Sequence, residues 1–279
     1  MSPDGKRVAM IRTGQTGQQL ITFATDRPND VTILVDFAGS GENAGGVVWA
    51  GDGAGSVLFA AHKPSGPSPQ SPTIYAALRV ADVASKQVRE IARITNGSYL
   101  LPLAWRSDRR VAGAAEIAAG SANTYDLVRE GARSDLSPER TPLGVAYGAL
   151  TASRDGSRIA TTFEHRAVRW WDIDQPSAMK ELTAQNNSGV DYAAFRPGRD
   201  EIGVNATAPV TAGGVPPPGH FEIWSLSGQQ RVVSPTVGFA FWRVDGTAAL
   251  VGTLLIDPET GATTQLPGGA FKIVDVVAF

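Results

Sequence analysis

Apolar and polar positions alternate along most of this chain in short runs, and each run is closed by a cluster of Gly, Pro, Asp or Ser. A period of two predicts half-buried strands, and the clusters predict the turns between them. Ser2-Pro3-Asp4-Gly5 shows the turn in full. Pro3 presets φ, Asp4 can bond its own backbone, and Gly5 tolerates positive φ. A strand over Lys6–Arg12 follows. The signal returns at Gly51-Asp52-Gly53, Ser107-Asp108-Arg109, Ser153-Arg154-Asp155-Gly156-Ser157, Pro197-Gly198-Arg199-Asp200 and Val244-Asp245-Gly246.

Counted from Asp4, Asp52, Asp108, Asp155, Arg199 and Asp245, the spacing is 48, 56, 47, 44 and 46 residues. A period of about 40–50 residues with four short strands per unit is the mark of propeller blades. Trp49, Trp105 and Trp242 stand three before the Asp, Phe195 holds the matching place, and Ala152 is the exception. Such a residue is expected to end the innermost strand and to pack between neighbouring blades. In the second unit the strands fall at Gly46–Trp49, Val57–Ala61, Ile74–Asp82 and Val88–Ile94. Tyr75–Ala92 also has near-helical spacing, but the repeat register requires strands there.

Phe271–Phe279 reads as one more innermost strand. Joined to Ser2-Pro3-Asp4-Gly5, it puts Phe279 in the aromatic position before Asp4. The expectation is therefore all-β: a single domain over 1–279, a six-bladed propeller of four-stranded antiparallel blades. The C-terminal strand completes the first blade and leaves no open edge.

Composition narrows the function classes. Gly 31 and Pro 18 suit many turns. With no Cys, disulfides, thiolate metal sites and Cys nucleophiles are excluded. A net charge of −2 without a basic run leaves no nucleic-acid footprint. No apolar run is long enough to span a membrane as a helix. No leader pattern precedes Ser2, so either the chain stays inside the cell or a leader has been removed.

Ser2-Pro3-Asp4-Gly5-Lys6-Arg7-Val8-Ala9, Ser153-Arg154-Asp155-Gly156-Ser157-Arg158-Ile159-Ala160 and Trp242-Arg243-Val244-Asp245-Gly246 resemble the WD40-like "PD40" repeat of TolB-type bacterial propellers. The third and fifth repeats depart from it. The resemblance covers nearly the whole chain and implies the propeller fold. That group includes periplasmic scaffolds, sensor domains and gating domains of serine peptidases. It implies a bacterial, extracytoplasmic protein, with a cytoplasmic location as the alternative.

Catalytic signatures are sparse: there is no G-x-S-x-G elbow, no H-E-x-x-H and no Walker loop. Gly51-Asp52-Gly53-Ala54-Gly55 is a strand-to-strand turn with no helix behind it to cradle phosphate. Two enlarged loops, 62–72 and 208–219, are rich in Pro and fall in blades two and five. In a six-membered ring these blades stand opposite each other, on the face where loops enter the innermost strands. Extended Pro-rich loops lose little entropy on ordering. The candidate binding residues on that face are His62, Tyr99, Tyr147, Tyr192 and His220.

A divalent cation at the central channel is a further candidate, since lactonase-type six-bladed propellers hold one through Glu, Asn and Asp. Its ligands would come from Glu42, Asn43, Asn186, Asn187 and Asp191. The primary expectation is a non-catalytic scaffold or sensor domain that binds a protein or small molecule. It would be a monomer or part of a larger chain. The alternative is an enzyme of the propeller type, a metal-dependent lactonase, hydrolase or lyase.

Overall fold

The computed structural model describes residues 1–66, 71–117, 123–129, 139–146, 150–185, 188–207, 219–235 and 240–266. Within them the chain is an all-β propeller of small antiparallel sheets, twenty-three strands in six meanders. No helix among the described residues is long and apolar enough to cross a membrane.

Two compact units emerge, each of three sheets. The first holds Met1–Val145 with Asp155–Ser157. Its sheets are β1 (Arg7–Gly14), β2 (Gly17–Ala24) and β3 (Arg27–Asp36); β4 (Asn43–Trp49), β5 (Ser56–Pro64), β6 (Thr73–Asp82) and β7 (Val88–Ile94); and β8 (Tyr99–Arg106), β9 (Val111–Ile117), β10 (Asn123–Arg129) and β11 (Glu139–Ala146). The second holds Ala146–Arg154 and the described chain from Arg158 to Leu266. Its sheets are β12 (Leu150–Ala152), β13 (Arg158–Phe163), β14 (Ala167–Asp172) and β15 (Lys180–Thr183); β16 (Gly189–Phe195), β17 (Glu201–Thr207), β18 (His220–Ser225) and β19 (Gln230–Ser234); and β20 (Ala240–Trp242), β21 (Ala249–Val251), β22 (Leu254–Ile256) and β23 (Thr263–Gln265).

Five sheets therefore carry four strands, where six such blades were expected, and the first carries three. β1 follows directly on the Ser2–Arg7 turn. The strand assigned to Phe271–Phe279 lies outside the described residues. The Tyr75–Ala92 segment is two strands, as the repeat register required.

The turn chemistry is as the sequence suggested. Ser2 N donates to the Arg7 carbonyl, and Ser153 N donates to the Arg158 carbonyl. In both turns the Ser hydroxyl accepts from the far amide, at 2.9 Å. Gly5, Gly156 and Gly246 sit at φ 73°, 68° and 69°. In the third repeat, which has no Gly, Arg110 takes the left-handed position at φ 53°. Its amide closes the turn on the Ser107 carbonyl.

The aromatic positions share one register. Trp105, Ala152, Phe195 and Trp242 each face the residue seven further on, Ala112, Ile159, Ile202 and Ala249. Trp49 faces Val57, one residue later, because its turn is longer. Trp105 is wholly buried between the second and third sheets, among Leu58, Leu78, Val80 and Ala112. Trp242 packs between the fifth and sixth, against Phe221 and Ala249. Trp170 and Trp224 fill the gap between the fourth and fifth. The inter-sheet layers are otherwise built mostly from Ala, Val, Leu and Ile, with Phe37 and Phe59 between the first two sheets and Phe195 between the fourth and fifth.

A Cβ on Gly246 would collide with the Pro197 carbonyl, on a backbone already at φ 69°. Gly198 has the same φ, and a Cβ there meets nothing within 4 Å. Gly246→Ala is thus expected to cost about 2–4 kcal/mol. Gly198→Ala should cost about 1 kcal/mol. Urea unfolding midpoints of the two variants check the difference, and equal losses would contradict the close approach.

Candidate functional site

The richest polar constellation in the first unit lies where the second sheet meets the start of the third. It is built from the loop before β4. Gly39 and Gly41 turn that loop at φ 73° and 69°. Ser40 Oγ donates to the Phe37 carbonyl at 2.7 Å and accepts from the Glu42 amide at 3.0 Å. These bonds present the Glu42 side chain to β6. Glu42 accepts from Arg79 in a bidentate pair, at 2.8 and 2.7 Å, and also from the Tyr75 hydroxyl. Arg79 Nε donates to Glu90 on β7 at 3.0 Å. Arg93 donates to Glu90 at 2.6 and 2.9 Å, and its guanidinium lies over the Tyr75 ring, 3.9 Å from the centroid. The result is a ladder of two carboxylates and two guanidinium groups. Its Glu42, Arg79 and Glu90 side chains keep only 10–16% of their surface exposed.

Beside the ladder, Asn43 pairs with His62 across β4 and β5. Gly45 and Gly46 carry no side chain at the point where β8 approaches. A Cβ on Gly46 would press on Leu101 and Pro102 at 3.1–3.2 Å. This opening lets Tyr99, first in β8, reach His62 at the end of β5. The two rings meet edge to face with centroids 4.9 Å apart. The Tyr99 hydroxyl donates to the Ser71 carbonyl at 3.4 Å, on the far side of the 62–72 loop. Residues 67–70 of that loop lie outside the described residues.

The electrostatics make this a fixed array. The Arg79 guanidinium holds the Glu42 carboxyl below the usual range, against an opposing effect of burial. Burial, then the hydrogen bond to Glu42, pushes the Tyr75 hydroxyl up. Arg79 is raised by Glu42 first, and Arg93 by Glu90 first. Burial lowers His62, with Glu42 pulling weakly the other way. The Glu42 carboxylate stays ionised and the Arg79 and Arg93 guanidinium groups charged, so these three have no proton to trade near neutrality.

Tyr147, Asn186, Asn187 and most of the 208–219 loop lie outside the described residues. Asp191 is exposed on β16, and its Oδ1 lies 3.2 Å from His165 Nδ1. Tyr192 is half-buried and packs against the cluster of Phe221, Ile223 and Ala249. His220 opens β18 and contacts Glu222. Among the described residues no three His, Asp or Glu side chains are grouped so as to hold a metal ion. Glu42, a candidate ligand, is already bound to Arg79 on both oxygens.

Sequence reasoning placed Glu42, Asn43, His62 and Tyr99 on this face and missed Tyr75, Arg79, Glu90 and Arg93. A signal existed: Arg79 and Glu90 stand on predicted neighbouring strands either side of the Asp82–Lys86 turn. Facing them needs the register shift between Leu78 and Arg79.

No family model matches the chain. No curated protein matches it by sequence. By backbone, 680 solved chains match, so the fold is widely shared and does not discriminate among functions. A prolyl endopeptidase structure superposes with a TM-score of 0.61 at 17% identity, over 95% of this chain and 42% of that one. TolB from Acinetobacter baumannii gives 0.55 at 11%, over 92% and 62%. Dipeptidyl peptidase 4 of Porphyromonas gingivalis gives 0.59 at 12%, over 95% and 44%. The chain spans about four- to six-tenths of the length of these proteins. At such identities the likeness is one of fold.

His62 is depressed in the fold relative to the unfolded chain, so its contribution is full above about pH 6.5. It is lost as pH falls through the folded value. Glu42, also depressed, acts in the same direction below about pH 4.5. Melting temperature should therefore decline from pH 7.5 to 5.5, and His62→Gln should flatten that decline. An equal slope in the variant would refute the burial of a neutral imidazole at this corner.

Proposed function

We propose that this chain is a binding propeller of the TolB-like kind, bacterial and extracytoplasmic. It presents the Glu42–Arg93 corner and the 62–72 loop to a protein or small-molecule ligand, and it performs no chemistry of its own. One observation carries the reading: every ionisable group of the Glu42–Arg79–Glu90–Arg93 ladder is tied to another. A general acid or base must exchange a proton near the working pH. A locked array instead gives a rigid surface, with the His62–Tyr99 pair as its aromatic edge. Tyr and Arg are the side chains that most often anchor interfaces.

The same reading is a single six-bladed ring, in which a strand in Phe271–Phe279 pairs with the free side of β1. Two features support it. First, β1 is an edge strand among the described residues, and propellers protect such edges. Second, Trp105 Nε1 donates to Ser56 Oγ at 3.2 Å, and Trp242 Nε1 donates to the Ala194 carbonyl at 3.0 Å. Each bond runs into the preceding sheet. Trp49 holds the same place, and its buried indole N–H has no acceptor among the described residues. A first strand in the first sheet would supply one.

The peptidase likenesses favour one variant of this reading. The chain matches under half of each peptidase, which suits a propeller joined to a further domain that carries the chemistry. The docking corner would serve the same purpose there.

Two variants test the binding surface: residues 65–71 replaced by a Gly-Ser linker, and Tyr99→Ala. Envelope-extract components retained by the wild-type protein should fall at least tenfold with both, at unchanged melting temperature. Undiminished retention by both variants would sink the proposal. Cation-dependent turnover of ester or lactone substrates by the wild type would overturn its non-catalytic half.

For the ring, the Trp49 indole proton, assigned by its loss in Trp49→Phe, should exchange with deuterium as slowly as that of Trp105. Fast exchange would leave the seam without its acceptor.

A further inference from the structure

The second unit holds a different kind of constellation. His220, Glu222 and Trp224 project from one face of β18, two residues apart each time. Glu222 is 8% exposed, and its carboxylate is shared between two neighbours. Trp224 Nε1 donates to Oε2 at 2.5 Å, and His220 Nε2 lies 2.5 Å from Oε1. The surroundings on the sheet are apolar. Val204 and Val232 flank Glu222 across β17 and β19, and Ala206 flanks His220, with Val190 beyond it on β16. A carboxylate buried among such residues needs both donors.

The chemistry of the acceptor fixes the imidazole. The indole can only donate, and a carboxylate only accepts, so the hydrogen on His220 sits at Nε2. In the neutral imidazole that leaves Nδ1, with its lone pair, as the ring's open position. The His220 side chain is 21% exposed, at the end of the fifth sheet where β16 enters. The other two imidazoles lack this support. His165 contacts Asp191 with both side chains more than half exposed, and His62 is held edge-on by Tyr99. A buried carboxylate behind an imidazole is how proteins hold one tautomer and one orientation for use on the other side of the ring.

We propose that His220 is a ligand-binding residue, locked by Glu222 and Trp224 as the Nε2–H tautomer, whose Nδ1 accepts a hydrogen bond from a hydroxyl or ammonium group. It rests on the reading that this chain binds a ligand at the loop-bearing end of its sheets. It adds the atom and the donor class.

Glu222→Gln turns the lock around. Its single carbonyl oxygen stays with the Trp224 N–H, so its amide NH2 faces His220. Nε2 must then accept, and the hydrogen moves to Nδ1. Two readouts follow, neither of which needs the natural ligand. Imidazole nitrogen NMR of the full chain should show Nε2–H in the wild type and Nδ1–H in Glu222→Gln. Diethyl pyrocarbonate then probes the accessible lone pair. Nδ1 forms a bond to a carbonyl carbon of the reagent, the C–O bond to ethyl carbonate breaks, and the Nε2 proton leaves through Glu222 to solvent.

Peptide mass spectrometry should find His220 carbethoxylated at least tenfold more slowly in Glu222→Gln, with His62 and His165 unchanged as internal references. The same tautomer in both proteins, or equal rates at His220, would overturn the proposal. Loss of retention on replacing residues 65–71, together with full retention by His220→Ala, would remove His220 from binding while leaving the binding reading intact.

Discussion

The whole arrangement depends on how closely successive sheets approach at the turn between their first two strands. Gly51 N donates to the Trp105 carbonyl at 2.8 Å, and Ala50 and Trp105 form a parallel bridge. In the second unit the Arg196 guanidinium donates to the Gly246 carbonyl at 2.8 Å. Backbone-to-backbone contact between separate sheets leaves no room for a Cβ on the facing residue, and Gly51 and Gly246 are glycine for that reason. The turn also satisfies its own backbone donors. Asp4, Asp155 and Asp245 do so by accepting from the amide two residues on. The aromatic side chain that ends the first strand then fills the wedge the two sheets leave.

Charge is handled by one device at two places. Arg196, 5% exposed, donates to Glu201 at 2.6 Å, lies 2.7 Å from Glu259 and sits near the face of Trp242. Arg79 likewise bridges Glu42 and Glu90. In both, a guanidinium satisfies carboxylates from separate segments, and its planar fork suits that geometry. Removing one partner would strand the other in low dielectric, a larger penalty than the pair's net contribution. The Arg196 cluster ties the fifth sheet to the Asp257–Gly261 turn of the sixth. The Arg79 cluster joins the loop before β4 to the outer strands of its own sheet and faces the aromatic pair. The first is a joint, and the second shapes a surface.

Much of this was legible in the sequence, because turn chemistry is local. Pro3, Asp4 and Gly5 act on residues within five positions, and the aromatic register repeats with them. The third repeat shows where local reading slips: without Gly, the left-handed residue is Arg110, one place past the position the alignment gave it. Glu42 and His62 could be placed on a face by counting strands. The Arg79–Glu90 contact could not, since the bulge at Leu78 and Arg79 changes which side chains oppose each other. The burial of Glu222 was equally hidden. Its neighbours across the sheet, Val204 and Val232, come from two other strands. The first sheet carries three strands among the described residues, and the strand expected to complete it lies outside them.

The division between repeat and function has a geometric root. β16 runs seven residues from Gly189 to Phe195. At about 3.3 Å per residue its ends stand some 20 Å apart. Phe195 and the Arg196 turn lie at one end; Asp191 and the entry from His165 lie near the other. The turn end is constrained by sheet-to-sheet contact, so its residue types recur from unit to unit. At the entry end the side chains differ from sheet to sheet: Glu42 just before β4 and Asn43 first in it, Tyr99 in β8, Asp191 in β16. His62 and His220, on equivalent ends of different sheets, sit in opposite settings. One is wedged against a phenol, and the other is backed by a buried carboxylate. The turn end keeps its repeating residue types while the chemistry at the entry end varies from sheet to sheet.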